Sequence, residues 1–220
     1  MIKGVLFDAG GTLIRMKPGS DEIMYDMIQR YKITKEEFFR AFKEARKYRY
    51  RVYSKDSYSA FIQSILKNLG IEENIGEKIY DEIIKKAKFI RYPETLEVLK
   101  NLSRNYILGV ISNWDLELNL NSIFEELRIR KYFSVIVVSK DIKISKPDPG
   151  IFLEALKKIN LTPHQCFYIG DDPYEDFYGA NNLGFISILI DRGNRYGELE
   201  CPKIRDLREI YAYLEKDSFL

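Results

Sequence analysis

The sequence predicts an α/β fold: a doubly wound, Rossmann-like parallel sheet carrying an inserted all-helical cap. Three observations predict it. A short apolar run, Ile2–Phe7, stops at Asp-Ala-Gly-Gly-Thr, as a buried strand does when it runs into a loop. From about Ser20 to Lys88 the apolar spacing is helical throughout. After Tyr92, short apolar runs alternate with helical stretches, the pattern of a parallel sheet covered on both faces. The expected division is a core of residues 1–14 and 92–220 and a helical cap of residues 15–91.

Each element has its own signal. Ser20 can cap a helix carrying Ile23, Met24, Met27 and Ile28. Thr34-Lys-Glu-Glu37 is a capping box opening a second helix with Phe38, Phe39 and Phe42. Ser57–Leu69 is a third helix, closed by Gly70, and Ile75–Ala87 a fourth. The aromatic residues Phe38, Phe39, Phe42, Tyr58 and Phe61 read as the core of this helical segment. Then follow helix Pro93–Leu102, strand Tyr106–Asn113, helix Glu117–Leu127, strand Val135–Val138 and helix Pro149–Lys158. Strand Cys166–Ile169, helix Glu175–Asn182, strand Phe185–Ile190 and helix Leu207–Leu214 complete the chain.

Composition narrows the function. With 220 residues, 45% of them hydrophobic and 31% charged, the chain is globular, which excludes collagen, coiled coil and wholesale disorder. Thirty-five Lys and Arg against 33 Asp and Glu give a net charge of +2, so no nucleic-acid partner is expected. Lys43–Lys55 is locally basic, with Arg46, Lys47, Arg49 and Arg51 among its residues; it reads as a solvated helix face. Two cysteines, Cys166 and Cys201, make no disulfide framework and no metal-ligand spacing, so a reducing cytoplasm is expected. No apolar run approaches the ~18 residues of a membrane span, and the N-terminus does not read as a signal peptide. The chain is expected to act as a monomer or homodimer.

Ligands of an open parallel sheet bind at the carboxyl ends of its strands. The first strand ends in Phe7-Asp8-Ala9-Gly10-Gly11-Thr12, and the second in Ile111-Ser112-Asn113-Trp114. Ser145-Lys146-Pro147 follows the third strand, and the fourth ends in Gly170-Asp171-Asp172-Pro173, with Asp176 beyond. Gathered into one crevice, Asp8, Asp171 and Asp172 repel one another unless a cation neutralises them. Hard oxygen donors suit Mg²⁺. With Mg²⁺ and Lys146 supplying positive charge, Asp8 can attack an anionic phosphoryl group. Ser112, Asn113 and the N–H groups of the glycine loop, Gly11 and Thr12 among them, can hold its oxygens, and Trp114 can floor the pocket.

These four motifs, in this order, resemble the haloacid dehalogenase superfamily of hydrolases, in the branch whose helical cap follows the first strand. The resemblance covers the whole chain. It implies that Asp8 is a nucleophile forming a covalent intermediate, that Ser112 binds the transferred group, and that Lys146 steadies Asp8 and the substrate. It implies that Asp8, the backbone carbonyl of Gly10 and Asp171 hold Mg²⁺, with Asp172 and Asp176 as supports or direct ligands. One position departs from the pattern. The phosphatases carry a second Asp two residues after the nucleophile, as general acid/base; here that residue is Gly10. Such a group is typically worth about 10²–10⁴-fold in rate. The 2-haloacid dehalogenases lack that Asp too, but they use no metal and lose the acidic pair that Asp171-Asp172 retains. The leading expectation is a Mg²⁺-dependent phosphatase acting on a small phosphorylated metabolite through an aspartyl-phosphate. The alternatives are a metal-independent 2-haloacid dehalogenase and a weakly active or inactive member that binds a phosphorylated ligand.

Overall fold

The computed structural model describes residues 1–49, 57–114 and 116–217. The chain opens with strand β1 (Gly4–Phe7), turns through a tight loop, and continues as β2 (Ile14–Met16). Helices α1 (Ser20–Ile28), α2 (Lys35–Arg49), α3 (Ser57–Asn68) and α4 (Gly76–Lys86) follow. Strand β3 (Phe89–Arg91) pairs with β2 in a two-stranded ribbon. The rest alternates: α5 (Thr95–Leu102), β4 (Ile107–Ser112), α6 (Leu120–Glu126), β5 (Val135–Val138), α7 (Ser139–Ile142) and α8 (Pro149–Ile159). It closes with β6 (Cys166–Gly170), a π-helical turn (Pro173–Tyr178), α9 (Gly179–Asn181), β7 (Ile186–Ile190), β8 (Lys203–Ile204) and α10 (Ile210–Asp217). Two compact units result. One comprises Met1–Arg15, Ile90–Trp114 and Leu120–Leu220, the other Met16–Phe89 and Asp115–Asn119.

The first unit holds a six-stranded sheet in the order β5-β4-β1-β6-β7-β8, with every neighbouring pair parallel. From central β1 the chain moves to β4 and β5 on one side, then returns to β6, β7 and β8 on the other. The order therefore reverses around β1, the switch point at which such sheets bind ligands. Phe7 of β1 lies between Val110 of β4 and Ile169 of β6, so the three strands end side by side. All four β1 residues are buried, which is why this strand reads as an unbroken apolar run. Helix α8 buries Ile151, Phe152 and Ala155 among Leu6, Ile111 and Tyr168 of the sheet. Truncating a ring as enclosed as Phe152 costs about 3–5 kcal/mol.

The second unit is built on Ile23, Met24, Phe38, Phe61, Ile62 and Ile79, all buried. Phe42 and Tyr58 pack against this core, whereas Phe39, 41% exposed, lies at its margin with its ring centre 5.3 Å from that of Phe38. The Thr34 capping box forms: the Thr34 N–H donates to Glu37 Oε2 at 2.8 Å and the Glu37 N–H to Thr34 Oγ1 at 3.2 Å. Gly70 follows α3 with φ +66°, a conformation that favours glycine. Ser20 is the first helical residue rather than the cap, a place held by Gly19. The basic stretch Lys43–Lys55 lies largely outside the described residues: residues 50–56 and the side chains of 46–49 are not among them.

Several boundaries differ from the sequence reading. The helix expected from Glu117 begins at Leu120. The α-helix expected over Glu175–Asn182 is a π-helical turn over Pro173–Tyr178 and a short α9. There the Phe177 N–H reaches back five residues to the Asp172 carbonyl at 3.1 Å, a wide turn common at functional sites. The ribbon β2–β3 and the two-residue β8 are too short for any periodicity to announce them. Among the described residues, no helix is long and apolar enough to cross a membrane.

Candidate active site

The loop after β1 carries Asp8. The Asp8 N–H still donates to the Ile169 carbonyl of β6 at 2.8 Å, which fixes it beside the neighbouring strand end. The chain then folds back, with the Leu13 and Ile14 N–H groups donating to the Ala9 carbonyl at 2.9 and 3.0 Å. Gly11 sits at φ +81°, and a Cβ there would stand 2.5 Å from Asp171 Cγ; only glycine satisfies both demands. Gly10 is different. It has no positive φ, and a Cβ on it would meet nothing within 4 Å among the described residues.

Lys146 is buried at the centre. Its Nζ donates to Asp8 Oδ1 at 2.7 Å, Asp176 Oδ1 at 2.5 Å and the Tyr168 hydroxyl at 3.2 Å. The Tyr168 hydroxyl donates in turn to Asp176 Oδ1, 3.0 Å away, or to the Ile111 carbonyl, 3.2 Å away. Asn113, expected to hold substrate oxygens, spends its amide on Lys146. Its Nδ2 donates to the Lys146 carbonyl at 3.0 Å, and its Oδ1 accepts the Lys146 N–H at 2.8 Å. Ser112 is buried at the end of β4, and Trp114 is buried just beyond it, its N–H bonded to Ser139 Oγ at 3.1 Å. Thr12 is buried, and its Oγ1 has no hydrogen-bond partner among the described residues.

Among the described residues, Asp8, Asp171 and Asp176 bring carboxylate oxygens within 4.8 Å of one another. Asp172 is not of this group. Its Oδ1 accepts the N–H groups of Tyr174 and Glu175 at 2.9 and 3.0 Å, so it caps the π-helical turn. Asp176 turns Oδ2 back to the Asp172 N–H at 3.0 Å, and Asp171 Oδ2 meets Arg195 Nη2 at 3.0 Å. Gly170 makes room for this, since a Cβ on it would lie 2.2 Å from Asp176 Cγ.

The electrostatics follow from burial. Loss of water pushes the Asp8 carboxyl well above the usual carboxylate range, Lys146 opposes this, and Asp176 and Asp171 add to it. Burial works against the Lys146 ammonium, yet Asp176 and Asp8 outweigh it and hold the amine charged far above its ordinary range. Lys146 meets Asp8 and Asp176, and Arg195 meets Asp171, while the three carboxylates lie within 4.8 Å of one another. An all-oxygen donor set gathered in this way fits a hard divalent cation such as Mg²⁺.

Sequence reasoning missed Tyr168, Arg192 and Arg195. Tyr168 lies inside a strand, where its polar tip has no local signal. Arg192 stands two residues past the end of β7, so inspecting every strand end finds it. Its Nη2 donates to the Thr12 carbonyl at 2.8 Å.

Comparison with known proteins agrees with this geometry. The family model described as haloacid dehalogenase-like hydrolase matches residues 5–190. A glyceraldehyde 3-phosphate phosphatase of Methanopyrus kandleri is 26% identical over 99% of this chain and 100% of its own length. A phosphoserine phosphatase of Thermus thermophilus is 29% identical over 58% of this chain and 52% of its own. The crystal structure of a phosphatase from Thermococcus onnurineus, 24% identical, superposes with a TM-score of 0.65 over 97% of this chain and 98% of its own.

Proposed function

Because this chain belongs to the haloacid dehalogenase-like hydrolases, we propose that it is a Mg²⁺-dependent phosphohydrolase of small phosphorylated metabolites that works through an aspartyl-phosphate at Asp8. The observation that carries this reading is the convergence of Asp8, Asp171 and Asp176 within 4.8 Å, with Lys146 bridging Asp8 and Asp176. Three gathered carboxylates suit a cation-assisted attack on an anion. Phosphatases among the relatives support it.

In this reading Asp8, Asp171, Asp176 and the Gly10 carbonyl hold Mg²⁺, and Asp172 supports them as a cap. When bound, Mg²⁺ supplies positive charge that lets a carboxylate approach a phosphoryl group. Lys146 engages Asp8 through Oδ1, so Oδ2 is the oxygen that attacks phosphorus. The bond from phosphorus to the leaving oxygen breaks, and its electron pair departs with that oxygen. Lys146 orients Asp8 and favours its ionised form against the opposing effect of burial, and Asn113 keeps Lys146 in place by gripping its main chain. Ser112 and the N–H group of Thr12 are the donors for the phosphoryl oxygens, beside Trp114; the Gly11 N–H, expected from the sequence to join them, donates instead to the Ile14 carbonyl at 2.8 Å. No side chain at Gly10 protonates the leaving group, so esters with acidic leaving groups are the better substrates.

The test is a panel of phosphate esters and 2-haloacids, each assayed with Mg²⁺ and with EDTA. Phosphate release that needs Mg²⁺ is expected. Halide release undiminished in EDTA would transfer the assignment to a dehalogenase, and binding of phosphate esters without turnover would mark a phosphoryl-binding protein.

A further inference from the structure

The loop that carries Asp8 makes a second set of bonds, to residues outside all four motifs. Three successive carbonyls, those of Gly11, Thr12 and Leu13, are each held. Arg192 Nε donates to the Gly11 carbonyl at 3.2 Å and Nη2 to the Thr12 carbonyl at 2.8 Å. The Leu13 carbonyl accepts the Tyr92 N–H at 3.2 Å and Thr95 Oγ1 at 2.8 Å. Arg192 is itself fixed. Its Nη1 lies 2.7 Å from Oε1 of Glu94, which is 4% exposed, and its guanidinium carbon stands 3.6 Å from the centre of the Tyr92 ring.

We propose that Arg192 is a positioning residue that, with Glu94 and Tyr92, clamps the nucleophile loop and so sets the orientation of Asp8. The consequence for catalysis rests on the phosphohydrolase reading above; the clamp itself does not. The chemistry favours arginine specifically. A guanidinium offers five donors in a rigid plane and a flat face for an aromatic ring, so one side chain serves two carbonyls, a carboxylate and a ring. A lysine ammonium is a point charge on a flexible stem and cannot span them. The buried Glu94 in turn gives the guanidinium one favourable place, since without it the carboxylate is left uncompensated. Asp8 precedes Gly11 by only three residues, so a shift of the clamped carbonyls is passed along the loop to the nucleophile.

The test is Arg192→Lys, which keeps a cation beside Glu94, read by amide hydrogen exchange and by steady-state kinetics. Exchange at Leu13 and Ile14 should rise about tenfold while that of Val5 in β1 stays unchanged. With p-nitrophenyl phosphate and Mg²⁺, well below the melting temperature, kcat should fall about ten- to a hundredfold. KM should stay within about threefold. If Arg192→Lys does not fold, Glu94→Gln should raise exchange at the same two amides. No local rise in either folded variant overturns the clamp. A rise with kcat unaltered overturns its bearing on catalysis. A wild-type protein inactive on every phosphate ester would refute the phosphohydrolase reading, and the exchange measurement would still decide the clamp.

Discussion

Lys146 Nζ stands 2.7 Å from Asp8 Oδ1 although 138 residues separate the two in sequence. The same ammonium lies 2.5 Å from Asp176 Oδ1, and its side chain is only 1% exposed. One buried cation thus ties the loop after β1 to the turn after β6. Lys146→Met should abolish activity and destabilise the metal-free protein by about 3–5 kcal/mol, because two buried carboxylates lose their partner. Urea melts of variant and wild type check it; equal midpoints would contradict the bridging role.

The crowding of Asp8, Asp171 and Asp176 predicts a stability effect of metal independent of any substrate. Mg²⁺ at about a hundred times its dissociation constant contributes roughly 2.7 kcal/mol. For a chain of this size that corresponds to a rise of roughly 5–11 °C in melting temperature. Asp171→Asn should weaken the rise. Asp172→Asn should leave it largely intact, because Asp172 Oδ1 is committed to the N–H groups of Tyr174 and Glu175. Calorimetry with and without Mg²⁺ distinguishes them, and an equal loss in both variants would return Asp172 to the ligand set.

Gly10→Asp tests the missing acid. Gly10 has no positive φ, and among the described residues a Cβ there meets nothing within 4 Å, so a side chain is accommodated. The variant should fold normally and hydrolyse an alkyl phosphate at least about tenfold faster, a gain of about 1.4 kcal/mol in barrier. p-Nitrophenyl phosphate, whose leaving group departs unprotonated, should gain much less. Equal gains on both, or none on either, would remove the general-acid argument.

Cys166 gives a pH dependence far from the site. Burial pushes its thiol up to about 12, whereas an unfolded cysteine ionises near ~8.5. Between those values the unfolded chain binds fewer protons than the folded one, so stability falls as pH rises through that window. Cys166→Ala should flatten this alkaline slope in denaturant titrations from pH 8 to 11. Native protein at pH 8 should alkylate at Cys201 and not at Cys166; an unchanged slope and a reactive Cys166 would refute the assignment.

The sequence reading reached the α/β core and the strand-end residues through one physical regularity. A parallel sheet places Asp8, Ser112 and Asp171 at adjacent strand ends, whatever the sequence distance between them. It did not reach what depends on side-chain reach across the fold. Asn113 looks like a substrate ligand until its amide is seen on the Lys146 main chain. Tyr168 reads as one more strand aromatic until its hydroxyl meets Lys146. Arg192 was within reach of the strand-end rule, but no motif named it. Asp172 and Asp176 are indistinguishable as letters; the π-helical turn separates a cap from a member of the acidic group.

The most direct test of the account is to quench the protein in acid during turnover of radiolabelled acetyl phosphate with Mg²⁺. Label should remain on the chain, be released by hydroxylamine, and map to the peptide containing Asp8. It should be absent in EDTA and from a normally folded Asp8→Asn variant, which should also have lost turnover. Sustained hydrolysis with no label on the wild-type chain, or an Asp8→Asn variant that keeps most of its activity, would contradict it.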